Sequence, residues 1–196
     1  MNKINKAIVL VSNSIDITSI NFNKLDKFNS VKFVYHNLAT PCVQLQNYYP
    51  PVYSESLFLM RNSESGFWGL DAASKNTNFM PKNKLLKTDI FFLHTDDIQS
   101  INVDYEFSSH FLNTQMINDF IPSYPMNKIP TCGCTSRFYY MNSIANDPFT
   151  QIFTIGFNLN SNYVTGMWDG HGWSWEFECL YRDLNANKFT MLDNVN

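Results

Sequence analysis

Glycine is scarce, at seven residues in 196, and none of the glycine-dependent nucleotide or nucleophile motifs is present. There is no Gly-x-Ser-x-Gly elbow, no phosphate loop ending in Gly-Lys-Ser/Thr and no Gly-x-Gly-x-x-Gly fingerprint. These absences disfavour an α/β-hydrolase, a phosphate-loop NTPase, a conventional dinucleotide-binding enzyme and a methyltransferase with a glycine-rich loop. The His-Glu-x-x-His zinc motif and the Asp-x-Asp pair that holds a diphosphate-bound cation are also missing. Charge is sparse too, at 16% of residues with a net of −3 and no Lys/Arg run. Phosphate-backbone binding needs clustered cations, so nucleic acid is not an expected partner. No apolar run approaches the ~20 residues of a membrane span. The polar start at residues 1–6 does not match a secretory signal, so the expected compartment is the cytoplasm.

What is present is a hydrophobic content of 44%, enough for a folded chain, in a length that suits a single domain. Four cysteines stand at 42, 132, 134 and 179. Without an export signal they read as reduced thiols, and Cys132-Gly-Cys134 is only half of a tetrahedral metal site. Asparagine is abundant, which fits turn chemistry better than a prion-like tract.

Ala7-Ile8-Val9-Leu10-Val11 is a continuous apolar run stopped by Ser12-Asn13-Ser14, the pattern of a central strand buried on both faces. A short helix is expected within residues 16–27, then a strand at 31–35. The prolines at 41, 50 and 51 give an extended loop before a strand at 57–60. Another buried strand is expected at 90–94, helical spacing at 109–120, a helix from a Thr135-Ser136 cap to 146, and a strand at 151–156. Residues 173–185 place Trp173, Phe177, Leu180, Tyr181 and Leu184 on one stripe of an amphipathic helix, and 189–192 reads as a final edge strand. The rhythm specifies one Rossmann-like α/β domain with a mostly parallel sheet and helices on both faces.

Ligands of such sheets sit beyond the carboxyl ends of the strands. Candidate segments are therefore 12–15, 36–40, 61–66 and 158–172. Ser12, Asn13 and Ser14 follow the first strand, and Asn37 and Asn62 follow the next two; an amide both donates to phosphate oxygens and accepts from hydroxyls. Thr135 and Ser136 offer hydroxyls at a helix start for a carboxylate or phosphate. His171, between Gly170 and Gly172 and just before a helix, is the strongest titratable candidate, because a helix amino end disfavours imidazolium and keeps the ring neutral as a base. Trp168, Trp173 and Trp175 surround it in sequence; Trp173 reads as core, since it lies on the apolar stripe.

In order and spacing these features resemble the bacterial sialyltransferases that use CMP-sialic acid to decorate lipooligosaccharide or capsule, enzymes with a GT-A-like variant Rossmann fold. The family turn Gly-Asn-Gly-x-Ser is similar to Ser12-Asn13-Ser14, with serines in place of both glycines. Family asparagines after later strands match Asn37 and Asn62. The family's Thr-Ser-Gly helix start matches Thr135-Ser136-Arg137, its strand ending in Gly-x-Asp/Asn matches Gly156-Phe157-Asn158, and its histidine before the last large helix matches His171. The family arginine two residues before that threonine is Gly133 here, with Arg137 as a substitute charge.

The resemblance implies an inverting, metal-independent transfer from a CMP-sugar to a glycan hydroxyl, without a cofactor. His171 would be the base, Ser12, Asn13, Ser14, Asn37 and Asn62 would hold the donor, and Thr135 and Ser136 the sugar carboxylate. Tyr163, in a short lid at about 158–170, would steady the leaving phosphate. CMP-Kdo is the alternative donor, and a catalytically silent nucleotide- or glycan-binding domain is the alternative of another class. Peripheral membrane association through the acceptor and a homo-oligomer stay open.

Overall fold

The first strand, β1 (Lys6–Val11), occupies the interior of a seven-stranded sheet, paired on one side with β2 (Ser30–His36) and on the other with β6 (Thr150–Ile155). The computed structural model describes residues 5–12, 19–36, 45, 54–61, 89–94, 108–157 and 170–193, with backbone alone for 54–61, 108 and 109. The sheet order is β5-β4-β3-β2-β1-β6-β7, completed by β3 (Ser54–Arg61), β4 (Asp89–Leu93), β5 (Ser108–Leu112) and β7 (Thr190–Met191). Each strand pair is parallel. Among the described residues one isolated antiparallel bridge, Ile20 to Asp193, lies outside the strands.

Parallel strands need crossovers, and the direction of travel decides which face each crossover covers. From β1 to β5 the chain steps one way across the sheet; from β5 to β6 and on to β7 it steps the other. The second set carries α1 (Thr114–Phe120), α2 (Cys132–Ser143) and α3 (Trp173–Asn185). These helices cover the face formed by Ile8, Leu10, Val34, Phe91, Leu93 and Ile152. On the opposite face a 3-10 turn (Phe22–Leu25) brings in Leu25 and Phe28, whose ring meets Phe153 edge-on at 5.4 Å. Because β1 is covered on both faces, Ala7, Val9 and Val11 are as buried as Ile8 and Leu10. That is why the run carries no polar alternation.

Three expectations change. The apolar spacing at 109–120 divides into β5 and the short helix α1, whose cap is Asn113: its side chain accepts from the Met116 N–H at 2.9 Å. The helix expected to start at Thr135 starts at Cys132, one turn earlier, because Thr131 is the cap and accepts from the Cys134 N–H at 2.9 Å. The stripe of α3 is also rotated. Tyr181 is exposed and Trp173 only partly buried, whereas Glu176, Cys179, Leu180 and Asp183 face inward. Two carboxylates seven residues apart, about two turns, thus lie on the buried side, where an apolar stripe does not find them.

Leu10 is fully buried between β2 and β6 beneath the helical layer. Leu10→Ala should cost about 2–5 kcal/mol, the range for a large-to-small change in a packed core, measurable by urea denaturation; a loss below about 1 kcal/mol would mean that β1 is not the centre of the core.

Candidate functional site

A parallel sheet changes its direction of travel between β1 and β6, and the crevice beyond those carboxyl ends is where such folds take ligands. Ser12 stands there, its N–H donating to the Ile155 carbonyl at 2.9 Å. Gly156 follows β6 in the left-handed region at φ 72°, and its N–H donates to the Asp193 carboxylate at 2.7 Å. The amino end of α2 approaches from above: a Cβ placed on Gly133 would lie 3.1 Å from the ring of Phe157. That close approach gives the glycine a packing reason.

His36 ends β2 and is sealed from solvent. Its Nδ1 lies 2.6 Å from the Val11 carbonyl, which can only accept, so Nδ1 carries the proton and Nε2 accepts from the Ser136 hydroxyl at 2.8 Å. Ser136 also lies 3.0 Å from the Gly133 carbonyl. A hydroxyl donating to a neutral imidazole is the contact a nucleophile makes with its base. Here Ser136 has no exposed surface, so the pair locks α2 to the ends of β1 and β2. Burial pushes the His36 pKa down from 6.5 to about 4.

Thr135 is equally buried, and its hydroxyl donates to the Thr131 carbonyl at 2.9 Å. Both hydroxyls proposed to hold a ligand are therefore engaged within the fold. Arg137 does not reach the crevice either. It is buried, with Nη1 4.0 Å from the Asp183 carboxylate of α3 and its guanidinium over the rings of Phe138 and Phe189 at 5.2 and 6.0 Å. Asp183 further accepts from Lys188 at 3.0 Å. The expected substitute charge is thus a tie between two helices. Cys132, Cys134 and Cys179 are buried and outside any disulfide, and burial raises the Cys134 pKa well above its ordinary value.

His171 sits in the turn before α3, partly exposed. Its Nδ1 lies 2.5 Å from the Ile129 carbonyl, which can only accept, so this nitrogen carries a proton and the neutral form of the ring has its lone pair on Nε2. Trp173 meets the ring edge-on at 5.2 Å. Behind it lies a network that sequence spacing does not reveal. Glu176 accepts from the Tyr124 hydroxyl at 2.6 Å, the Thr131 N–H at 2.9 Å and the Thr131 hydroxyl at 2.6 Å. Among the proposed site residues the structure describes Ser12, Thr135, Ser136 and His171; Asn13, Ser14, Asn37, Asn62, Tyr163 and the 158–169 part of the lid lie outside the described residues, as do Cys42 and Trp168.

No family model, curated protein or solved structure matches this chain. Among the described residues no helix is long and apolar enough to cross a membrane.

The buried histidine has a measurable pH signature. Its folded pKa lies below the unfolded value, so between pH 6.5 and 4 the unfolded chain takes up a proton that the folded chain refuses. The stability it contributes is complete above about 6.5, falls as the pH drops towards 4 and changes no further below. Between pH 7 and 4.5 the loss should be about 2–3 kcal/mol. Denaturant unfolding of wild type and His36→Asn across this range should give a shallower slope for the variant, and equal slopes would show that His36 is not held neutral.

Proposed function

We propose that this chain is a metal-independent, inverting glycosyltransferase that takes an acidic sugar from a CMP-activated donor to a glycan hydroxyl. The observation that carries the reading is the setting of His171: an imidazole whose Nδ1–H is held by a backbone carbonyl, partly exposed, on the side of the sheet where the strands end. CMP is already a good anionic leaving group. The reaction then needs a base for the acceptor hydroxyl, donors on the phosphate and exclusion of water.

In this scheme His171 removes the proton as the acceptor oxygen attacks the anomeric carbon and the bond to the CMP oxygen breaks with inversion. The donor occupies the crevice between β1 and β6, with Ser12, Asn13, Ser14, Asn37 and Asn62 on its nucleotide and phosphate and Tyr163 on the leaving group. The sugar carboxylate faces the amino end of α2, whose partial positive charge favours an anion. Thr135 and Ser136 serve this part of the site by building and anchoring that helix start. CMP-sialic acid is the first donor and CMP-Kdo the second, since each places a carboxylate beside the anomeric carbon. The acceptor belongs to lipooligosaccharide or capsule, made at the inner face of the membrane.

Incubation with each donor and a panel of glycan acceptors, following CMP release, tests the reading. Release from one donor is expected; release from neither removes the transferase assignment, and CMP binding without turnover assigns the chain to silent nucleotide binders. His171→Ala should lower transfer by about 10²–10⁴-fold, the usual contribution of general base catalysis, with CMP affinity unchanged. A rate within twofold of wild type would exclude His171 as the base.

A further inference from the structure

The orientation of His171 is set outside its own turn, by the segment at 124–131. Three hydrogen bonds join this segment to residues 170–172: Ile129 N–H to the Gly170 carbonyl at 2.8 Å, His171 Nδ1–H to the Ile129 carbonyl, and Gly172 N–H to the Tyr124 hydroxyl oxygen at 2.9 Å. The segment is in turn held at both ends by one carboxylate. Glu176, buried in the first turn of α3, accepts from Tyr124 at one end and from both donors of Thr131 at the other.

Each proton of this network has an acceptor within it. The Tyr124 hydroxyl has one proton, which goes to Glu176 at 2.6 Å with the Ile129 carbonyl as a longer second acceptor at 3.1 Å, and its oxygen receives the Gly172 N–H. Burial and the Glu176 carboxylate both push the Tyr124 pKa up, which keeps that proton in place. Thr131 donates its hydroxyl proton to Glu176 and uses the same oxygen to cap α2. Gly172 lets Tyr124 approach closely: a Cβ there would lie 3.2 Å from the tyrosine oxygen and 3.1 Å from Pro125 Cγ, so these side chains would have to give by a few tenths of an ångström.

We infer that Tyr124 and Glu176 are positioning residues for His171, holding the Ile129 carbonyl where it fixes the ring and its Nδ1–H tautomer. The catalytic consequence rests on the transferase reading above, whereas the tautomer is a property of the folded chain alone. A carboxylate can accept from Thr131 and Tyr124 together, whereas an amide oxygen leaves one contact facing an NH₂ group. Loss of the Tyr124 hydroxyl frees one end of the 124–131 segment, loss of the Glu176 carboxylate weakens both, and either releases the ring.

Long-range proton–nitrogen NMR of the imidazoles, with His171 assigned by its absence in His171→Gln, separates the two levels. Wild type should give a His171 spectrum with Nδ1 protonated and Nε2 bare. In Tyr124→Phe and Glu176→Gln the spectrum should shift towards the opposite tautomer or an average of the two. The transfer rate should fall at least tenfold while KM for the donor stays within twofold. Glu178→Gln, at an exposed position on the same helix, should change neither. Gly172→Ala is the second probe, since it displaces the tyrosine without deleting a polar group; it should reproduce the tautomer change. An unaltered His171 spectrum in any of the three folded variants, or a wild-type spectrum already showing Nε2 protonated, overturns the inference. If wild type releases no CMP from either donor, the transferase reading fails and the NMR result still decides the positioning role.

Discussion

The strand β1 has no free edge and no free face, and the rest of the fold is arranged to satisfy that condition. Its N–H and C=O groups pair with β2 on one side and β6 on the other, and its five apolar residues are covered from above and below. A strand in that position can be paired in parallel only by crossovers, so each neighbour starts again from the same end of the sheet. The carboxyl ends therefore collect the loops, and the reversal in travel between β1 and β6 is where such sheets open a crevice. A candidate site at this crevice is a consequence of topology before any side chain is considered.

Side-chain chemistry then fixes what borders the crevice. A helix start brought over the strand ends needs its first N–H groups satisfied, and Thr131 does part of this as the cap of α2. Its hydroxyl proton goes to Glu176, and one turn on, Ser136 gives its proton to His36. A continuous series of contacts thus runs from the Val11 carbonyl through His36 and Ser136, along α2 to Thr131, and through Glu176 and Tyr124 to the turn that carries His171. The amino end of α2 and the histidine are placed by the same set of buried polar groups. Such networks specify geometry because each unmade bond would leave a desolvated donor or acceptor.

The sequence was most legible where periodicity alone decides. β1, β2, β4, β6 and the span of α3 stand out because a buried strand shows as a short apolar run and a long amphipathic helix as a stripe. Residues 109–120 misled because alternation in a short strand and spacing in a short helix overlap when they are joined end to end. The start of α2 was missed by one turn because Thr131 and Thr135 are both good caps, and only the acceptor it makes for Cys134 N–H distinguishes the first. Ser12 and His171 were legible as positions after a strand and before a helix. The use of Tyr124, Glu176 and His36 was not, since partners 45, 52 and 100 residues apart leave no local pattern.

Two histidines end that series, and the comparison between them explains why only one can act on a substrate. Both give their Nδ1 proton to a backbone carbonyl, Val11 for His36 and Ile129 for His171, and both thereby place the basic lone pair on Nε2. The shared tautomer does not give a shared function. For His36 the lone pair meets Ser136 inside the core, and burial lowers its pKa to about 4, so it is a weak base with no access to an incoming hydroxyl. His171 has the same fixed tautomer in a partly exposed turn beside Trp173, at the amino end of α3. Orientation without access makes a structural tie, and access without orientation makes an ordinary surface histidine. The Ile129 carbonyl, in the segment tied down by Tyr124 and Glu176, supplies orientation at the one of these two positions that also has access, and that combination makes His171 the candidate base.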